Sequence, residues 1–167
     1  MELFRNYLKR FLDVLDIKEV YAHCDIPCGI YDPHLALVSA HTVLRMDMLI
    51  QDLSKNAKDN LEYNHKLARY TDVKEKHAEL CKNEVRIIWG DYFKQEHIQK
   101  FPETHELVWS IMKAASKARQ STDVNDAKAL IDSVNKFAEI FWKTKGLDSV
   151  KVKAPYPTEA EMVVPKA

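Results

Sequence analysis

Between Asp123 and Gly146 the apolar residues Ala127, Leu130, Ile131, Val134, Phe137, Ala138 and Phe141 recur every three or four positions. That spacing lines one face of an α-helix and does not suit a strand, whose faces alternate at every second residue. The same period runs through three further stretches. After Asp32-Pro33, with Asp as cap and Pro at the first helical position, Ala36, Ala40, Val43, Leu44 and Ile50 mark a helix to about Leu53. Leu35, Met46, Leu49 and Leu53 form a second stripe on it, which predicts a subunit contact beyond the core. From about Leu61 to Ile88 the spacing turns Tyr63, Leu67, Tyr70, Val73, His77, Leu80, Cys81, Ile87 and Ile88 inward, with His77 as a hydrogen-bonded core residue and Cys81 as a buried thiol. Pro102-Glu103 opens a third helix to Gln120, and Ser121-Thr122-Asp123 offers caps for the fourth. Clustered aromatics from Trp89 to Pro102 break the period and close one end of the assembly. Four helices with short connections predict an all-α fold, an antiparallel four-helix bundle.

Composition narrows the partners. Lys plus Arg number 25 and Asp plus Glu 25, so no net field draws nucleic acid or an anionic membrane from a distance. No run reaches the roughly 18 apolar residues of a membrane span. Three Cys is an odd number, which argues against a disulfide framework and for a reducing, cytoplasmic compartment. Residues 1–22 form an amphipathic stretch carrying Leu3, Phe4, Tyr7, Leu8, Phe11, Leu12 and Leu15, and Asp13 and Asp16 interrupt what would be the apolar core of an export signal. Ending on Ala22, it reads as a docking helix or a cleavable leader. The tail, 147–167, has prolines and charges without a period and is expected to be extended or disordered. One domain over 23–146 remains.

At the head of that domain stands His23-Cys24-Asp25-Ile26-Pro27-Cys28-Gly29-Ile30-Tyr31, the densest group of metal donors in the chain. Pro27 restricts the backbone before the second thiol, so both sulfurs can reach one ion. Two thiolates suit zinc, copper(I) or iron; added nitrogen donors in a plane suit nickel(II) or copper(II). If the chain began at His23, its α-amine, the backbone nitrogen of Cys24 and the Cys24 sulfur would close fused five-membered chelate rings. Only cleavage after Ala22 creates that geometry. A surface loop with two reduced cysteines and a zinc clip are the plainer alternatives.

The string His23 to Pro33 resembles the nickel-hook motif of nickel-containing superoxide dismutases, and the resemblance continues through Trp89-Gly90-Asp91-Tyr92-Phe93-Lys94, Phe101-Pro102-Glu103 and Phe141-Trp142-Lys143-Thr144-Lys145. It spans about His23 to Lys145. It implies a helical-bundle subunit of a homohexamer, made as a precursor whose leader a protease removes before His23. It further implies one nickel ion per subunit, bound by the amine and imidazole of His23, the backbone nitrogen and thiolate of Cys24, and the thiolate of Cys28. The implied reaction converts superoxide to oxygen and hydrogen peroxide as nickel cycles between its divalent and trivalent states. Thiolates, ordered water and Tyr31 are candidate proton relays, Asp25 is expected to support the hook by hydrogen bonding, and by the resemblance Tyr31 and Tyr92 line the access pocket. Where the family orients the ligand imidazole with a glutamate and an arginine, this chain has Ser39 and His77, so Ser39, His77 or a water is expected to take over. The rival readings are a non-catalytic nickel-binding protein, a thiol redox protein using Cys24 and Cys28, and a purely structural helical protein.

Overall fold

The computed structural model describes residues 28–57 and 60–166. The expected leader over 1–22 and the site residues His23, Cys24, Asp25 and Pro27 lie outside the described residues. Within them the order is α1 (His34–Lys55), α2 (Leu61–Ile87), a π-helical turn (Ile88–Tyr92), α3 (Gln95–Lys100), α4 (Thr104–Gln120), α5 (Val124–Thr144), β1 (Ser149–Lys153) and β2 (Glu161–Pro165). Helices thus dominate.

The helix starts follow local chemistry. Asp32 Oδ1 accepts the backbone N–H of His34 at 2.7 Å, Asn60 Oδ1 that of Tyr63 at 2.9 Å, and Asp123 Oδ1 that of Asn125 at 2.9 Å. Each satisfies a donor that the first helical turn leaves open. The stripe on α5 is buried along its whole length, from Ala127 to Phe141. It forms the spine of the core, where each large side chain removed from water contributes about 1.5–3 kcal/mol. α1 packs against α2 and α5, and α4 packs against α5 and α2.

On α2 the buried seam differs from the expected one. Lys74, Ala78, Cys81 and Val85 are buried, whereas Tyr63, Leu67, Tyr70, Val73, His77 and Leu80 are only half-buried. The large side chains marked the wrong edge of the face. Close approach to α1 takes small Ala78 at the seam, and Lys74 is admitted because Asp47 of α1 meets its Nζ at 3.0 Å, with both side chains almost wholly buried.

The tail, expected to be extended or disordered, is extended and ordered: 149–165 is an antiparallel hairpin, pairing Val150 with Val164 and Val152 with Met162. An isolated two-stranded hairpin is marginal in water. Here α5 supplies what a third strand would: Asn135 Nδ2 donates to Glu161 O at 3.0 Å, and Asn135 Oδ1 accepts from Val163 N at 2.8 Å. Ala154, Met162 and Val163 are buried beneath it. Asn135→Ala leaves both backbone groups short of a partner at about 1–3 kcal/mol each. It should accelerate amide exchange across β1 and β2 while leaving that of α2 and α4 unchanged.

α1 holds the other end of the hairpin. His41, 2% exposed, meets Thr158 Oγ1 at 2.9 Å through Nδ1 and lies edge-on to the Tyr156 ring at 5.2 Å. Burial pushes its pKa below the ordinary 6.5. The unfolded chain therefore takes up the proton first on acidification, and the stability present above about pH 6.5 is lost as pH falls toward the folded value. Denaturant titrations should show wild type weakening below that pH and His41→Gln losing that part of the slope.

Candidate metal centre and its aromatic pocket

Of the expected metal donors, Cys28 is the one within the described residues. It is half-buried just ahead of α1, and its Sγ accepts the Ile30 N–H at 3.4 Å. Gly29 between them has φ +69°, a left-handed conformation that costs other L-residues roughly 1–2 kcal/mol. Glycine at this position folds the chain back over the sulfur. A sulfur at a tight turn, held by a backbone N–H, fits a ligand to a soft or borderline metal. Cys81 contrasts with it: burial in the helical core pushes that thiol up to about 12, the behaviour of an inert core residue.

Three residues after Cys28, Tyr31 opens a cluster of aromatic groups. Tyr31 precedes the Asp32 cap, and its ring centroid lies 5.6 Å from that of Tyr92. Tyr92 closes the π-helical turn, in which Phe93 N reaches back to Ile88 O at 3.2 Å. The extra residue in such a turn shifts the side chains that follow, a device common at functional sites. Tyr92 is stacked on His97 of α3 at 5.3 Å, packed on Phe141 at 4.8 Å, and covered by Lys145 Nζ at 4.6 Å from its centroid. Its hydroxyl meets Thr144 Oγ1 at 2.8 Å. Thr144 and Lys145 come into reach because α5 ends there, with Gly146 at φ +74° and its N–H on Lys143 O at 3.1 Å.

Sequence reasoning thus named both tyrosines but missed His97, Thr144 and Lys145. The Phe141-Trp142-Lys143-Thr144-Lys145 string, part of the family resemblance, was the available signal for Thr144 and Lys145, without a chemical reason to single out its threonine. Among the described residues, Ser39 and His77 are not drawn into this pocket by any hydrogen bond. Ser39, buried, donates to Leu35 O at 2.7 Å, and His77 Nδ1 lies 2.8 Å from Val73 O, each on its own helix.

Fold and site together define a helical protein with a cysteine turn three residues ahead of one member of a tyrosine pair. A family model described as nickel-containing superoxide dismutase matches residues 18–145. The superoxide dismutase [Ni] of Streptomyces coelicolor (strain ATCC BAA-471 / A3(2) / M145) is 40% identical over 126 residues, covering 75% of this chain and 90% of its own. That of Streptomyces seoulensis is 40% identical over 127 residues, covering 76% and 91%. A native nickel superoxide dismutase structure matches with a TM-score of 0.65 at 37% identity, over 74% of this chain and 99% of its own. The chain belongs to the nickel-containing superoxide dismutase family.

Proposed function

We propose that this chain dismutates superoxide to oxygen and hydrogen peroxide at one nickel ion per subunit, held by the α-amine and imidazole of His23, the backbone nitrogen and thiolate of Cys24, and the thiolate of Cys28. The observation that carries the reading is Cys28 at its glycine turn, 28–31 leading directly into the Tyr31–Tyr92 pair, in a chain that matches the family over 18–145. Nickel held by these residues would supply the one-electron couple that dismutation needs. Thiolate and amide donors are electron-rich, which suits the higher oxidation state. Tyr31 passes a proton toward the nascent peroxide, Asp25 braces the hook, and Tyr31 with Tyr92 narrows the approach to small anions. The four long helices, each packed on two others around a shared core, serve as a four-helix bundle that carries the hook.

The α-amine exists only after cleavage before His23, so a leader-processing protease belongs to the reading. The half-buried second stripe of α1 and the exposure of Leu35 at 45% and Trp109 at 57% favour assembly, for which a homohexamer in the cytoplasm is the proposal. Intact mass and metal analysis of protein purified from cells test the whole. A product beginning at His23 with about one nickel per chain and superoxide turnover is expected. An uncleaved, metal-free protein in cells with this activity overturns it.

His77 is the proposed support for the ligand imidazole. A carbonyl only accepts, so the contact with Val73 O assigns the proton of a neutral ring to Nδ1 and leaves a lone pair on Nε2. That lone pair suits the free N–H of a ligand histidine. His77→Ala is expected to alter the nickel absorption bands and cut turnover about 10- to 100-fold, the usual range for losing a group that orients a ligand. Unaltered spectra and turnover would assign orientation to Ser39 or water.

A further inference from the structure

The hydrogen-bond chain behind Tyr92 has a direction. Thr144 has a single hydroxyl proton, and its Oγ1 lies 2.6 Å from Phe141 O. A carbonyl cannot donate, so that proton is committed to Phe141. The same Oγ1 lies 2.8 Å from the Tyr92 hydroxyl. With its own proton spent, Thr144 accepts, and the Tyr92 phenol is the donor. The chain therefore runs from Tyr92 through Thr144 to Phe141 O.

We infer that Thr144 is a positioning residue for Tyr92: it holds the phenol proton on the side of α5, so that Tyr92 presents oxygen lone pairs to the pocket and does not deliver a proton there. Proton delivery and anion gating are then divided between the two tyrosines. Tyr92 acts as a fixed wall and hydrogen-bond acceptor, and the relay role stays with Tyr31. The surroundings suit a fixed ring, since His97 stacks on it, Phe141 packs against it and Lys145 covers it. A hydroxyl acceptor at the last turn of a helix is needed for this, and among the uncharged side chains of similar shape only serine and threonine supply it.

This rests on Tyr92 lining the superoxide pocket, and the test separates the two claims. The first readout uses the metal-free full chain and needs no turnover: the tyrosine doublet in the ultraviolet resonance Raman spectrum, isolated as wild type minus Tyr92→Phe, reports whether the phenol donates or accepts. A donor signature is expected in wild type, lost in the near-isosteric Thr144→Val and restored in Thr144→Ser. An acceptor signature in wild type, or no change in Thr144→Val, overturns the assignment. The second readout is superoxide turnover of the processed, nickel-loaded variants. A fall of about tenfold in Thr144→Val with recovery in Thr144→Ser is expected, short of the roughly 100-fold that misplacing a reacting group can cost, because Tyr92 shapes the pocket and passes no proton. A changed Raman signature with unchanged turnover overturns the pocket role of Tyr92, and with it the positioning role of Thr144 in the reaction.

Discussion

Cys28→Ser, expressed and processed like the wild type, should fold normally, bind no stoichiometric nickel and lose superoxide turnover by more than about 100-fold, beyond the loss seen when a group that only supports a ligand is removed. The reason is the donor atom. Serine matches cysteine in shape but offers a hard oxygen that stays protonated, whereas the thiolate is soft and charged at accessible pH. The N–H of Ile30, which now points at Sγ, would keep its partner in the serine variant, so the turn at Gly29 survives. Cys28 lies ahead of α1 and outside the core cluster, so stability should stay within about 0.5 kcal/mol, as for most surface substitutions. Metal analysis, the sulfur-to-nickel absorption bands and superoxide decay read the three outcomes separately. Full turnover in Cys28→Ser would exclude this thiol as a ligand.

Asp47→Ala should be the most damaging single change to the fold, costing about 3–5 kcal/mol, because it leaves the Lys74 ammonium buried without its counter-ion. The pair is 3.0 Å apart with side chains 0% and 4% exposed, and Lys74 Nζ also donates to Ser121 O at the approach to α5. One ammonium thus ties α1, α2 and the α4–α5 connection. Burial pushes the Asp47 carboxyl above its ordinary range, outweighing the pull of the Lys74 hydrogen bond and charge. Lys74→Met removes that pull and sends the carboxyl higher still. A carboxyl whose folded pKa exceeds its unfolded one binds its proton more tightly when folded, so this variant should regain stability as pH is lowered. Asp47→Leu combined with Lys74→Met should recover most of the loss, since neither charge is then stranded. Denaturant midpoints of Asp47→Leu, Lys74→Met and the double give the coupling, and strict additivity would exclude the pair as a unit.

The buried pair also shows where a linear reading fails. Lys74 looks like any solvent-facing lysine of a helix rich in Glu and Lys, and nothing in its neighbourhood along the chain marks Asp47 as its partner. Asn135 is similar: at a core-facing position of α5 it reads as a flaw, until β2 arrives with the backbone groups it satisfies. The hairpin's one local signal, the alternation Ser149-Val150-Lys151-Val152-Lys153, is short, and its order comes from Asn135, His41 and the apolar surface of α5. By contrast, Asp32 and Asp123 were legible as caps, since a cap acts on backbone donors two or three residues away.

The helical period, the caps and the choice of donor atoms in the stretch from His23 to Tyr31 were determined by the sequence alone, because each depends on residues within one or two turns of each other or on the chemistry of single side chains. Tertiary structure decided the rest. It set the seam of α2, paired Asp47 with Lys74, docked the tail as a hairpin, and gathered Tyr31, Tyr92, His97 and Thr144 into one pocket. Those contacts join groups far apart along the chain, so their energies exist only once the helices are packed.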